Sequence, residues 1–483
     1  MHEPAGAPHP NDVASDPERQ RRLRDAAHRK RRRVDPRIVA ANMLVLAEKL
    51  GSLDDSAMEA ELDRARFPEK DRRFVIQLVR GALRHQARLD AAWTRYSHRP
   101  VYAVHPLVRA AMRIGSFQLL HLSRVPAYAA VDASVRLVKS KLGSGVGGFV
   151  NGVLRKVAEK GFTATLPERV DGPLAYCVQT LSFPAWLVER WRQRYGDECC
   201  MNLCETLNER AAPTLRVNVT KSPPAAVIAE LAAENIAAAP GRYSPVALTT
   251  ARLGPVLGSA AHASGLVTIQ GEASQLVGLL ARQGRGDSVL EMCAGVGGKS
   301  FHALERAHGE LRLTTADMSP GRLTRMLGEA ARLGLPLPAR VAMDMREIPP
   351  SWARRFNCVL LDAPCSTFGA IRKHPDVKWR PEERLADVRR DQQSLVAAAL
   401  EAVKPGGEVV YSVCSCESEE VEEILDFAVS GRAGSRRCRA VDLRERLPES
   451  CHAALLPRPS LLQTWPGALE LDGMSAFVLE VTA

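Results

Sequence analysis

Long apolar runs are missing from this chain. Of its 483 residues 46% are hydrophobic, but no uninterrupted apolar stretch approaches the ~18 residues that cross a bilayer. The first 40 residues also lack the apolar core of a secretory signal. These absences argue against a membrane protein, and we expect a cytoplasmic protein with no membrane partner. A chain of this length predicts about three domains.

A disulfide framework is missing as well. The chain has 11 cysteines, and an odd number without a secretory signal indicates reduced thiols. Cys199, Cys200 and Cys204 form a dense group, but zinc sites usually pair two such spacings with histidines between them. No second group lies nearby in the sequence. We therefore expect no metal and place these cysteines on a helix face.

Two nucleotide-binding signatures each fail by one residue in the segment EMCAGVGGKS. A phosphate-binding loop needs glycine where Cys293 stands, and a dinucleotide fingerprint needs glycine where Ser300 stands. These departures argue against NTPase and NAD chemistry. The turn still joins a predicted strand to a predicted helix, where backbone amides are exposed to a ligand.

Positive charge is abundant and unevenly placed. The net charge is +11, and residues 19–37 read RQRRLRDAAHRKRRRVDPR. Such runs are usually disordered and bind polyanions through phosphate contacts and counterion release. A solubilising tail is the alternative, but we favour a nonspecific RNA-binding segment.

The apolar pattern divides the rest of the chain into three parts after a basic tail at residues 1–34. Residues 35–160 repeat apolar residues at helical spacing and predict a helical bundle. Residues 166–275 mix the strands TLRVNVT and GLVTIQ with helices and predict a small α+β subdomain. In residues 276–483 strands and helices alternate, which predicts a parallel, doubly wound α/β sheet with right-handed crossovers.

Three aspartates follow successive strands of that sheet. Asp317, Asp344 and Asp362 end the second, third and fourth predicted strands. Ligands of open α/β sheets bind where the carboxyl ends of the strands meet, and an acid there accepts hydrogen bonds from ribose. Each could alone be a turn former. Three around one glycine turn favour a nucleoside-containing cofactor, and the failed phosphate loop favours S-adenosylmethionine over ATP.

Two cysteines, Cys365 and Cys414, follow two of the strands. A thiolate that attacks carbon 6 of cytosine makes carbon 5 nucleophilic enough to take a methyl group from a sulfonium. An acid near N3 of the base would disperse charge, and Asp362 is the nearest candidate. These residues alone do not say which thiol attacks, and buried packing is the alternative for either one.

The catalytic half resembles the Sun-type family of RNA cytosine-5 methyltransferases. The matching segments are VLEMCAGVGGKS, ADMSPGRL, LLDAPCSTFGAIRKHPDVKW and VVYSVCSCESEE. The stretch IRKHPDVKW is similar to the bacterial small-subunit (16S) ribosomal RNA branch. KDRRFVIQLVRGALR resembles that branch's NusB-like N-terminal domain, and LRVNVT its small RNA-binding subdomain. The resemblance implies a Rossmann-like methyltransferase domain and the substrate RNA, and we expect a monomer.

The resemblance also implies residue roles. Cys414 would be the nucleophile and Cys365 would assist release of the product, whereas the Pro-Cys motif of DNA cytosine-5 methyltransferases would have indicated Cys365. RNA phosphates would meet Arg372, Lys373 and Lys378. The cofactor would be held by Cys293, Ala294, Gly295, Val296, Gly297, Gly298, Lys299, Asp317, Arg322, Asp344 and Asp362.

Several positions depart from the family pattern without removing a reacting group. The family usually has proline at Val296, threonine at Val413, asparagine at Val421, an acid at Gly271 and an aromatic near Met474. A noncatalytic RNA-binding factor and a methyltransferase for DNA or small molecules are the alternatives. The paired thiols argue against the first, and the basic tail and accessory domains against a small-molecule substrate.

Overall fold

The computed structural model describes residues 35–53, 55–281, 284–466 and 471–482. The chain forms two compact units, one up to Ala164 and one from Thr165 onward. The predicted basic tail at residues 1–34 lies outside the described residues. Among the described residues, no helix is long and apolar enough to cross a bilayer.

The first unit is helical, as the periodicity predicts. Its described residues form α1 (Pro36–Leu50), α2 (Asp55–Ala65), α3 (Glu69–Arg84), α4 (Gln86–Thr94), α5 (Pro106–His121), α6 (Ala127–Leu142) and α7 (Ser144–Lys160). Asp35 caps α1 by accepting a hydrogen bond from the backbone N–H of Arg37. Helices α3 and α5 approach closely at Gly81, where a Cβ would lie 2.0 Å from the ring of Phe117.

The second unit begins with helices and a small sheet. A helical turn at Pro173–Ala175 continues into a π-helical turn at Tyr176–Thr180. They precede α8 (Ala185–Tyr195), α9 (Asp197–Asn208), β1 (Thr214–Val217), α10 (Pro224–Ala233), β2 (Ala238–Pro240), β3 (Ala247–Thr250) and β4 (Val267–Ile269). Two short helices, Leu253–Leu257 and Ala260–Ala263, precede β4. The sheet order is β2-β3-β1-β4 with antiparallel pairs.

A larger sheet of eight strands follows. Its elements are α11 (Glu272–Leu280), β5 (Ser288–Met292), α12 (Gly298–Arg306), β6 (Arg312–Asp317), α13 (Pro320–Leu333), β7 (Ala339–Ala342), β8 (Phe356–Asp362), α14 (Arg384–Ala402), β9 (Val403–Val413), α15 (Glu422–Val429), β10 (Cys438–Ala440), α16 (Glu449–Leu455), β11 (Leu462–Thr464) and β12 (Met474–Val481). The strand order is β10-β12-β9-β8-β5-β6-β7, and β11 pairs with β12.

The prediction of an all-parallel sheet is wrong at one edge. Strands β5 to β9 are parallel, but β12 runs antiparallel to β9, and β10 and β11 run antiparallel to β12. The apolar run AFVLEVT marks a strand but carries no information about direction. Antiparallel edge strands on an otherwise parallel sheet are common.

Apolar residues cover both faces of the central strands. Leu360 and Val410 point into one buried cluster, and Leu361 and Tyr411 point into the other. Strands buried on both faces read as continuous apolar runs, as NCVLLDAP and GEVVYSVC do. These buried central strands position the loops that follow β5, β6, β8 and β9.

Candidate functional site

Four loops meet at the carboxyl ends of β9, β8, β5 and β6, which are neighbours in the sheet. The glycine turn follows β5, and Asp317 ends β6. Asp362 ends β8, with Cys365 three residues later, and Cys414 directly follows β9. The topology thus collects the predicted acids, glycines and thiols at one edge, where open α/β sheets bind ligands.

The glycine turn has an open, left-handed backbone. Cys293, Gly295 and Gly297 have φ of 58°, 59° and 88°. A Cβ on Gly295 would meet no atom within 4 Å, so this backbone faces open space. A Cβ on Gly297 would lie 2.6 Å from Cε of Met326, which explains why glycine stands there. Val296, where the family usually has proline, is half-exposed at 49%.

Asp317 links the turn to its own loop. Its Oδ2 accepts a hydrogen bond from the N–H of Gly295 at 2.9 Å, and its Oδ1 accepts one from the N–H of Ser319 at 2.8 Å. Arg322 lies in the first turn of α13, beside the same loop. Asp344 follows β7 and pairs with Arg346 at 2.6 Å. An exposed glycine turn bordered by two acids fits a ligand that carries an ammonium group and a ribose.

An ion pair between a lysine and an aspartate lies beside the thiols. Nζ of Lys299 is 2.6 Å from Oδ2 of Asp362, and Oδ1 of Asp362 accepts a hydrogen bond from Ser412 at 2.8 Å. Burial alone would lower the pKa of Lys299, but Asp362 raises it above its ordinary value. The lysine is therefore a buried cation that keeps the Asp362 side chain in place.

Glu291, on β5, is a site residue that the sequence reasoning missed. It is fully buried and accepts a hydrogen bond from the hydroxyl of Ser300. Burial raises its pKa to about 8. A lone acid inside an otherwise apolar strand, SVLEM, was the available signal.

The two cysteines are in direct contact. Their Sγ atoms lie 3.1 Å apart. A hydrogen bond from Cys365 lowers the pKa of Cys414, even though burial acts in the opposite direction. The same contact and burial raise the pKa of Cys365 well above its usual range. The two shifts run in opposite directions, so Cys414 is the thiol that loses its proton more readily, an asymmetry that their sequence positions alone did not give.

The prediction that three basic residues meet RNA phosphates does not fit two of them. Lys378 has 0% exposure and lies over the ring of Phe183 at 4.2 Å. Arg372 is 6% exposed, with its Nη2 3.3 Å from the carbonyl of Arg210. Side chains packed inside the fold present no charge to a polyanion. Lys373 is 41% exposed and pairs with Asp472, so its role stays a prediction.

A second group of thiols lies away from the site. Sγ atoms of Cys177, Cys200 and Cys204 lie within 4.8 Å of one another, and all three residues are buried. Cys199, grouped with them by sequence, is exposed. Structural zinc sites hold four donors, and this group among the described residues supplies three. The expectation of no metal stays a prediction.

Three family models match the chain in succession. The NusB family matches residues 34–159, a ferredoxin-like domain of RsmF/B-like methyltransferases matches residues 183–257, and "16S rRNA methyltransferase RsmB/F" matches residues 278–479. Together they confirm the predicted fold class of a NusB-like bundle, a small α+β subdomain and a Rossmann-like methyltransferase domain.

Curated relatives match over most of their length. The chain is 30% identical over 405 residues to ribosomal RNA small subunit methyltransferase B of Pseudomonas putida, covering 83% of this chain and 91% of that protein. It is 29% identical over 442 residues to the probable ribosomal RNA small subunit methyltransferase B of Bacillus subtilis, covering 90% and 96%.

Solved structures share the fold. The crystal structure of PH0851 has a TM-score of 0.73 at 21% identity and covers 92% of this chain and 99% of that one. NSun6 from Pyrococcus horikoshii, determined with SFG, has a TM-score of 0.55 at 19% identity and covers 62% and 99%.

Proposed function

Because this chain belongs to the family of 16S rRNA methyltransferases RsmB/F, we propose that it methylates carbon 5 of a cytosine in small-subunit ribosomal RNA. The names of the curated relatives support the ribosomal substrate. The choice of atom rests on the site. The observation that carries it is the contact between the sulfur atoms of Cys414 and Cys365 beside the Lys299–Asp362 ion pair.

Each thiol has a distinct role in the proposed reaction. Cys414 forms a bond from Sγ to carbon 6 of the cytosine, which pushes electron density to carbon 5. Carbon 5 would then take the methyl group of a sulfonium, which leaves as a neutral thioether. Transfer of the proton from carbon 5 to a water molecule restores the ring double bond and expels Cys414 as a thiolate. Cys365, the neighbouring thiol, assists this release step.

Asp362 orients the base in this proposal. Its carboxylate is fixed by Lys299 and Ser412, and it lies between the glycine turn and the thiols along the edge of the sheet. At N3 of the base the Lys299–Asp362 pair would disperse the negative charge that develops during attack, because the ammonium of Lys299 supplies the proton that Asp362 shares with N3. The buried cation of Lys299 keeps that acid from turning away.

S-adenosylmethionine is the proposed cofactor, and it supplies the methyl group as a sulfonium electrophile. NSun6, whose structure was determined with the S-adenosylmethionine analogue SFG, shares the fold. The exposed backbone of the glycine turn would hold the methionine part, Asp317 the ribose and Asp344 the adenine end. The proposed contacts are Cys293, Ala294, Gly295, Val296, Gly297, Gly298, Lys299, Asp317, Arg322, Asp344 and Asp362.

The proposed partner is ribosomal RNA, and we place the activity in the cytoplasm where that RNA is assembled. The NusB-like bundle and the ferredoxin-like subdomain would hold the RNA while the large sheet carries the chemistry. The predicted domain boundaries at residues 35–160, 166–275 and 276–483, and the monomeric state, stay predictions.

Methyl transfer to defined RNA tests this function. The purified full chain, given labelled S-adenosylmethionine and small-subunit ribosomal RNA, should yield 5-methylcytidine on nucleoside analysis. Bisulfite sequencing of RNA from a deletion strain should lose one protected cytosine. An intact chain that binds the RNA but leaves every cytosine unmodified would instead make it a noncatalytic RNA-binding factor.

A further inference from the structure

Glu420 is a buried acid between the two cysteine loops. It lies just before α15, in the segment that follows Cys414, and has 0% exposure. The backbone carbonyl of Glu420 accepts a hydrogen bond from the hydroxyl of Tyr411 on β9 at 2.8 Å. The backbone of Glu420 is thus bonded to β9, the strand that precedes Cys414, and its side chain points toward the two cysteine loops.

The carboxylate of Glu420 contacts the residue that follows each cysteine. Its Oε1 accepts hydrogen bonds from the hydroxyls of Ser366 at 2.5 Å and Ser415 at 2.6 Å. Its Oε2 accepts one from the backbone N–H of Ser366 at 2.8 Å. Ser366 directly follows Cys365 and Ser415 directly follows Cys414. One side chain therefore joins both loops.

A fourth donor connects this carboxylate to α14. Nε2 of Gln392 lies 3.1 Å from Oε2 of Glu420 and 2.9 Å from the carbonyl of Pro364. All four contacts of Glu420 are donors, which favours an ionised carboxylate, while burial acts against them and raises the pKa of Glu420. Buried charge-assisted hydrogen bonds of this kind hold geometry tightly.

We propose that Glu420 is a positioning residue that holds the loops of Cys365 and Cys414 at the separation where one thiol donates to the other. This inference rests on the proposed function for its catalytic consequence. Glu420 contacts Ser366 and Ser415 and neither sulfur, although its charge also raises the pKa of Cys365. Its position was visible in the sequence only as one acid among several in CESEEVEE.

Glu417 offers a matched control in the same segment. It is also buried, at 2% exposure, and its carboxylate accepts hydrogen bonds from Trp191 at 2.8 Å and from Arg190 at 2.5 Å. Those partners belong to α8 and not to either cysteine loop. Glu417→Gln therefore perturbs a buried acid of similar burial without removing the proposed link.

The reactivity of Cys414 toward an alkylating reagent depends on the separation of the two cysteine loops and can be measured without RNA. The groups that act on the pKa of Cys414 are Cys365, Asp362, Thr367 and Lys299, and the hydrogen bond from Cys365 has the largest effect. If the loops separate, that bond weakens and the pKa of Cys414 rises. The pH midpoint of its alkylation by iodoacetamide, located by peptide mass spectrometry, measures this change.

We expect Glu420→Gln to raise the alkylation midpoint by about 1 pH unit, the size of one hydrogen bond to a charged group. The kcat for methyl transfer should fall about tenfold or more, with the KM for S-adenosylmethionine unchanged, because the glycine turn and the loops after β6 and β7 provide most of the proposed cofactor contacts. Glu420→Asp keeps the charge, so its midpoint and kcat should lie between those of Glu420→Gln and the wild type. It is the variant to measure if Glu420→Gln does not fold. Glu417→Gln should keep the wild-type midpoint and kcat.

Two results would overturn the inference: Glu420→Gln and Glu420→Asp keeping the wild-type midpoint and kcat, or Glu417→Gln reproducing both changes. The alkylation experiment also separates this inference from the proposed function. A midpoint that rises in Glu420→Gln while the wild-type chain methylates no cytosine would preserve the positioning role and refute the function.

Discussion

Cys365 and Cys414 occupy similar sequence positions, each shortly after an apolar strand, and yet their pKa values shift in opposite directions. The shifts come mainly from the contact between the two sulfur atoms, which lie 3.1 Å apart. Only the fold brings residues 49 positions apart to that distance. The assignment of Cys414 as nucleophile came from resemblance and stays a proposal, and the lowered pKa of Cys414 agrees with it.

Lys299 gives a prediction at the residue scale. Lys299→Met keeps the length of the buried side chain but removes the cation 2.6 Å from Asp362. Without the ammonium group Asp362 would turn away from the base, so we expect kcat to fall about 100-fold. Steady-state methyl transfer measures it. Lys404→Met, at the other end of β9, is the control, and its kcat should equal that of the wild type. A kcat of Lys299→Met within about twofold of the wild-type value would show that Lys299 does not hold Asp362 in place for the reaction.

The sequence predicted the reacting residues of the site better than their supports. Cysteines and aspartates at strand ends are visible because parallel strands share one edge. Glu291, Ser412 and Glu420 were missed because their roles depend on contacts between distant segments. The burial of Lys378 and Arg372 was missed for the same reason: a basic stretch predicts exposure only until α9 and its neighbours pack against it.

At the scale of elements, the long apolar strands and helices were predictable and the short or reversed strands were not. β2 and β3 have three and four residues, too few for a period to show. Helical apolar spacing continues through residues 74–93 of the predicted bundle, but the helix is divided at His85, whose φ of −113° ends α3 before α4 begins. The antiparallel direction of β12 follows from tertiary pairing, which no local pattern records.

Arg216 joins the small sheet to the helix of the glycine turn. Its guanidinium group, on β1, donates two hydrogen bonds to the carboxylate of Glu305 on α12, at 2.7 and 2.8 Å, and one to the carbonyl of Gly298 at 2.8 Å. Both charged side chains have at most 1% exposure. The small subdomain thereby fixes the start of α12, and with it the glycine turn.

Removing this arginine should destabilise the second unit. Arg216→Ala leaves the Glu305 carboxylate buried without its partner, which costs about 3–5 kcal/mol of unfolding free energy. Urea unfolding of the full chain, followed by tryptophan fluorescence, measures the loss. Arg285→Ala removes an exposed pair with Glu310 and should leave the transition unchanged. Equal free energies of unfolding in the two variants would show that Arg216 does not stabilise the contact between β1 and α12.

At the scale of the whole molecule, charge is concentrated where the sequence has its basic run. Nine arginines and lysines lie between residues 19 and 33. Two of the three basic residues predicted to meet RNA near the site are buried instead. We therefore assign more of the RNA affinity to the basic run than the sequence alone suggested.

Deleting residues 1–34 should weaken RNA binding and reduce its salt dependence. The slope of log affinity against log salt should fall by about 0.7 for each phosphate of a single-stranded RNA that the shortened protein no longer neutralises. Affinity for a ribosomal RNA fragment at several salt concentrations measures it. Deleting residues 2–15, which contain no arginine or lysine, is the control. An unchanged slope in the longer deletion would leave the run as a solubilising tail.

The division of labour between the two thiols is the central claim, and a denaturing gel with labelled RNA tests it most directly. In the presence of S-adenosylmethionine, Cys365→Ala should accumulate a protein–RNA adduct that survives denaturation, with mass spectrometry locating the RNA on Cys414. Cys414→Ala should form no adduct and transfer no methyl group. An adduct in Cys414→Ala attached to Cys365, with none in Cys365→Ala, would contradict the assigned roles.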